Sequence, residues 1–109
     1  MNQAVFIPDI DLPPDMEAKA SDASAYLKAI SNETRLMLLC ALIDGEQSVG
    51  ALERHLNTRQ ATVSQHLARL KQDGLVSARR DGKTIYYSIA DPYAVDMMRV
   101  LFAKFCGVR

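Results

Sequence analysis

Two sets of side chains in this sequence have the chemistry to act on something outside their own fold. The first is a pair of thiols, Cys40 and Cys106, the only two cysteines of the chain. The thiolate is the nucleophilic form of cysteine, and in a reducing compartment paired thiols serve catalysis or redox sensing rather than structural cross-links. For Cys40 a plain packing role stays open, because it sits in the apolar run LMLLCALI and free cysteines pack well as small hydrophobes. Cys106 lies close to the chain end, where no core demands sulfur. The pair makes a poor zinc site, since structural zinc takes four N or S ligands at short local spacings. No metal or other cofactor is expected. Ser64 and His66 stand at i and i+2, positions that do not face each other on a helix. With no glycine-rich phosphate loop and no evident carboxylate pair, an enzyme is not expected either.

The second set is polar and cationic: Arg54, Arg59, Gln60, Thr62, Ser64, Gln65, His66 and Arg69, then Arg79, Arg80 and Lys83. Glutamine can bond an adenine edge in a bidentate way, arginine a guanine edge, and Ser/Thr hydroxyls suit either bases or phosphates. Arg54, Lys71 and the cations beyond residue 78 are better placed for phosphates. The net charge of zero conceals this. Residues 54–84 hold seven Lys/Arg against Asp73 and Asp81, whereas residues 1–53 hold three basic and nine acidic side chains. Such asymmetry suits a nucleic-acid partner. Charge alone leaves an ordinary solvated face equally open.

The elements that must hold these residues follow from periodicity. The length suits one domain, with a proline-containing irregular arm over residues 1–14 and a folded domain over residues 15–109. Met16, Ala20, Ala23, Tyr26, Leu27 and Ile30 form a helical stripe. Ser31 or Asn32 can cap a second, almost wholly apolar helix running to Asp44-Gly45. Ser48 can cap a short third helix ending near Asn57, and Thr58 a fourth that stops at Gly74. In that fourth helix Val63, Leu67 and Leu70 must face the core, which leaves the polar set outward. The β-prone runs LVSARR and KTIYYSIA flank Asp81-Gly82, a two-residue hairpin signal. Asp91-Pro92 then caps a final helix. The expected fold is mainly α with a β-hairpin wing, a winged helix-turn-helix in the order α-α-α-α-β-β-α, whose fourth helix enters the major groove. No apolar run approaches the roughly 20 residues that span a bilayer and no leader pattern is seen. No membrane partner and a cytoplasmic location are expected.

The stretches LKAISNETRLMLLCAL and ATVSQHLARLKQDGLVSARRDGKTIYYSI, over roughly residues 25–90, resemble the ArsR/SmtB family of bacterial winged-helix repressors. The resemblance implies a homodimer, joined through the first and last helices, that blocks a palindromic double-stranded operator until a signal releases it. Met97, Met98, Leu101, Phe102 and Phe105 give the last helix more apolar surface than a small core needs.

Metal-sensing relatives carry a cysteine pair in the third-helix region or Asp/His and His/Glu pairs in the last helix. The matching stretch GEQSVGAL has no cysteine, and the last helix has Asp96 but no histidine. The spacing of Cys40 and Cys106 resembles instead the branch that senses persulfides derived from sulfide. That likeness implies that the two thiols become bridged within one subunit by reactive sulfur species and that the repressor leaves DNA. A response to general thiol oxidants is the alternative, ahead of a metal ion. An interaction module that uses the winged helix without DNA is a further alternative.

Overall fold

The computed structural model describes residues 12–107. Most of the arm expected over residues 1–14 therefore lies outside the described residues. Helix α1 spans Met16–Ile30, α2 Glu33–Ala41, α3 Val49–Leu56 and α4 Gln60–Gln72. Strands β1 (Gln47–Ser48), β2 (Val76–Asp81) and β3 (Thr84–Ile89) form one antiparallel sheet in the order β1-β3-β2, and α5 (Pro92–Cys106) follows β3. The expected winged helix-turn-helix is present with one added strand. Among the described residues no helix is long and apolar enough to cross a membrane.

The caps explain most boundaries. Asn32 accepts from the Arg35 amide at 3.1 Å and opens α2. The Ser48 hydroxyl accepts from the Ala51 amide at 3.1 Å and opens α3. Asp91 accepts from the Tyr93 amide at 3.0 Å beside Pro92, which needs no amide hydrogen at the first helical position. At the far end of α4, Gly74 takes φ +79. Its amide donates to the Lys71 carbonyl at 3.0 Å and the Leu75 amide to the Leu70 carbonyl at 2.9 Å. This is the Schellman arrangement, with the apolar C″ residue packed inward.

Four local expectations differ from what is observed. Helix α2 stops at Ala41 rather than reaching Asp44, and a turn carries the chain on to Gly45. Helix α4 is preceded by Arg59, without a side-chain cap. The Thr58 hydroxyl donates instead to the Leu56 carbonyl at 3.0 Å. The hairpin closes at Asp81↔Thr84, so its two central residues are Gly82 and Lys83 rather than Asp81 and Gly82. Only the first has positive φ, at +65, which is the primed turn with glycine leading. Strand β1 was not expected, because two polar residues carry no alternation pattern; it forms by pairing Gln47 with Tyr87 and Ser48 with Tyr86.

The core gathers one face from each helix. Leu38 and Leu39 of α2, Leu52 of α3, Val63, Leu67 and Leu70 of α4, Leu75, and Met98 of α5 are completely buried. Truncating one such leucine to alanine costs about 2–5 kcal/mol. No polar or charged residue is buried among the described residues. Helix α1 joins this core near its end, through Ala29, Ile30 and half-buried Tyr26, while Met16 and Leu27 stay exposed.

Candidate nucleic-acid interface and thiol pair

The link from α3 to α4 sets how α4 is presented. Asn57 ends α3 in the left-handed region, at φ 51 and ψ 48, a conformation asparagine tolerates better than most residues with a Cβ. The chain turns sharply there, and α4 begins at Gln60. With Val63, Leu67 and Leu70 buried, Arg59, Gln60, Ser64, Gln65 and Arg69 are exposed, and Thr62 is half-buried. Arg54 is exposed near the end of α3. Arg69 reaches along its own helix to Asp73 at 2.8 Å.

His66 departs from the outward grouping that periodicity suggested. It is half-buried, and its Nδ1 lies 3.1 Å from Arg35 Nη1 on α2. Burial first, and the Arg35 cation second, hold the imidazole below its ordinary range. Arg35 was not singled out in the sequence, where it is one cation on an apolar helix. A planar five-donor group beside a helix end is the signal that could have found it.

In the wing, Arg79, Arg80 and Lys83 are exposed but differ in their partners. Arg79 grips Glu46 in a two-pronged pair at 2.7 and 3.0 Å, approaches Asp81 at 3.9 Å and lies 4.7 Å over the Tyr86 ring. Its hydrogen bonds hold the Glu46 carboxyl below the usual carboxylate range, and Glu46 in turn raises the guanidinium. Arg80 and Lys83 make no ion pair among the described residues. A cleft of about 330 Å³, lined by Ser48, Glu53, Gln60, Lys83 and Thr84, joins the wing tip to the start of α4. Gln60 of α4 and Lys83 of the wing thus line one cleft.

The two thiols meet elsewhere, between α2 and α5. Cys40 is half-buried and Cys106 exposed, and both are free. They line one apolar hollow of about 210 Å³ with Leu36, Met98, Leu101, Phe102 and Phe105. Cys40 Sγ lies 3.9 Å from Met98 Sδ. Burial pushes the Cys40 thiol up, and the neighbouring Cys106 sulfur adds to the effect. Among the described residues no group of three or more His, Cys, Asp or Glu side chains is arranged to hold a metal ion.

A second link joins α1 to α5. The Tyr26 hydroxyl donates to Asp91 Oδ2 at 2.8 Å, the same carboxylate that caps α5. Burial, then this bond, raises the phenol to about 12.

Residues 32–78 match the sequence family described as "Bacterial regulatory protein, arsR family". The chain is 43% identical over 107 residues to a biofilm growth-associated repressor of Agrobacterium fabrum, covering 98% of this chain and 91% of that one. The structure of reduced HlyU from Vibrio cholerae superposes with a TM-score of 0.80 at 40% identity, over 84% of this chain and 97% of the other. A homodimeric winged helix-turn-helix DNA-binding domain from Mycobacterium bovis gives a TM-score of 0.72 at 28% identity, over 90% of this chain and 89% of that one. The chain thus belongs to the arsR family of bacterial regulatory proteins, as a winged helix-turn-helix DNA-binding transcriptional regulator and not an enzyme.

Proposed function

We propose that this regulator is a homodimeric repressor that leaves its palindromic operator when Cys40 and Cys106 are bridged by reactive sulfur. The observation that carries the reading is the apolar hollow both cysteines line. One thiolate attacks a sulfur of an organic polysulfide, an S–S bond breaks, and a thiolate or persulfide anion leaves. The second thiolate then attacks the sulfur chain held on the first and expels the remaining organic thiolate. The polysulfide is reduced and the two cysteines are oxidised.

A direct disulfide needs Cα atoms about 4.4–6.8 Å apart. Inserted sulfurs relax that requirement, and the hollow offers apolar space for them. That favours reactive sulfur over a peroxide, which adds no such spacer. A bridge closing so long a loop can stabilise the fold by roughly 4 kcal/mol. Release depends only on the difference between the DNA-bound and free shapes. Tying α2 to α5 acts on the helix that bears much of the exposed apolar surface, including Val100, Phe102 and Phe105. With Leu27 of α1 also exposed, these side chains form the proposed dimer face, and the Mycobacterium bovis relative is homodimeric.

In this reading Gln60, Thr62, Ser64 and Gln65 meet bases, and Arg54, Arg59, Arg80 and Lys83 meet phosphates. Arg69 and Arg79 join them only by leaving their carboxylates. The test is mass spectrometry and DNA binding after polysulfide treatment. Wild-type protein is expected to lose DNA and gain a reducible Cys40–Cys106 link carrying at least one extra sulfur. Cys106→Ser is expected to bind DNA and ignore the treatment. If Cys106→Ser is released as readily as wild type, the two-thiol switch is wrong.

A further inference from the structure

Arg35 joins three elements by a single side chain. Its Nε donates to the Ala29 carbonyl at 2.7 Å and its Nη2 to the Lys28 carbonyl at 3.4 Å. These are carbonyls of the last turn of α1, which the helix's own ladder leaves without amide partners. The remaining arm, Nη1, meets His66 Nδ1 of α4 at 3.1 Å. Arginine has donors only, so the ring nitrogen must accept, and His66 must be neutral with its proton on Nε2. A protonated ring loses that acceptor and places a second cation against the guanidinium.

We infer that Arg35 is a positioning residue for DNA recognition: through neutral His66 it fixes α4 relative to the end of α1. The inference rests on the proposed role of α4 in reading bases. Helix α4 otherwise packs against α2, α3, β2 and α1, with Val63, Leu67 and Leu70 buried in the apolar core, and non-directional packing of this kind constrains depth better than rotation about the helix axis. A directional bond in the middle of the helix supplies that missing constraint. Gln65 directly precedes His66 and Ser64 lies two residues before it, so a rotation of α4 about its axis displaces these base-facing groups together with the ring.

The charged groups around the ring are few. From α2 the only charge that bears on it is Arg35. From α1, Lys28 contributes its backbone carbonyl to the Arg35 cluster rather than its amine. Arg69, one turn along α4, is engaged by Asp73. Among the described residues, α3 and β2 send no side chain into hydrogen bonding with the ring. A proton taken up by His66 therefore acts on Arg35 first.

The experiment compares full-length wild type, His66→Gln, His66→Leu, Arg35→Lys and Gln65→Ala. Each is assayed on a duplex selected from a random pool by the wild-type protein and on a scrambled duplex of the same composition. Thermal melting confirms folding of each variant. Glutamine keeps an oxygen that can accept from Arg35 but does not titrate. Wild type is expected to lose about ten-fold of its discrimination as the pH falls from neutrality through the range below the ordinary imidazole value of about 6.5, where His66 takes up its proton. His66→Gln is expected to hold its discrimination across that range. His66→Leu and Arg35→Lys are expected to be about ten-fold poorer throughout, the effect of one lost bond to a charged group. His55 is common to all variants and cancels. If wild type binds the selected duplex more tightly at the acid end while His66→Gln does not, His66 touches DNA directly and the positioning role is wrong. Identical pH profiles for wild type and His66→Gln also overturn it. A Gln65→Ala variant with full discrimination identifies the failure as that of α4 reading, and its loss with an unaffected His66→Leu identifies failure of the bracket alone.

Discussion

The side chains of the proposed base-reading surface differ in how free they are to act. Gln60 and Gln65 are exposed and make no side-chain hydrogen bond among the described residues, so each can turn both amide ends toward a base edge. Alanine at either position is expected to narrow the gap between operator and random duplex by about 1–3 kcal/mol per lost bidentate contact. Competition binding between the two duplexes measures this, and full discrimination in both variants would move the readout to DNA shape. The polar set around them was legible in the sequence because α4 has a clean 3.6 period, and Val63, Leu67 and Leu70 pin its inner face. His66 was not legible. It stands at i+3 from Val63 and i−4 from Leu70, on the edge of the buried stripe, but its polar type groups it with the outward set, and its partner, a guanidinium from another helix, is something no local pattern encodes.

At the scale of elements, capping residues gave most boundaries, since Asn32, Ser48 and Asp91 each bond the amide their type and position suggest. Failures came where a longer-range partner decided the outcome. Strand β1 exists because β3 offers it an edge, and the turn falls at Gly82-Lys83 because the pairing of β2 with β3 runs through Asp81. The shifted turn places Lys83 at the wing tip itself. Alanine at Arg80 or Lys83 is expected to weaken binding to every duplex alike. Each should flatten the dependence of log affinity on log salt by about one unit per lost phosphate contact. Arg79→Ala is expected to change that slope less, because Arg79 is already matched by Glu46. Salt titrations of the three variants decide it, and a loss of slope at Arg79 equal to that at Lys83 would mean the ion pair opens fully on DNA.

Over the whole molecule, the order of elements and the core were readable from periodicity, whereas the meeting of Cys40 with Cys106 in one hollow depends on how α5 returns across α2. The described chain leaves Leu27, Tyr93, Val100 and Phe105 exposed, an apolar surface suited to a second copy. Val100 lies outside the cysteine hollow, so Val100→Asp tests dimerisation without altering the thiol site. A buried carboxylate there is expected to weaken self-association by about a hundred-fold or more. Sedimentation across protein concentration reads this directly, and an unchanged dimer would put the interface on another face. The ion pairs of Arg69 and Arg79 with Asp73 and Glu46 bear on how the regulator finds its site. In the mode of DNA binding proposed above, carboxylates held against those guanidinium groups would compete with phosphate on arbitrary DNA and shorten each wrong encounter. At the operator, the proposed base contacts would hold the surface in place long enough for the arginines to exchange partners. In that mode the same pairs that lower the protein's hold on DNA in general would shorten its search through a genome of competing sites.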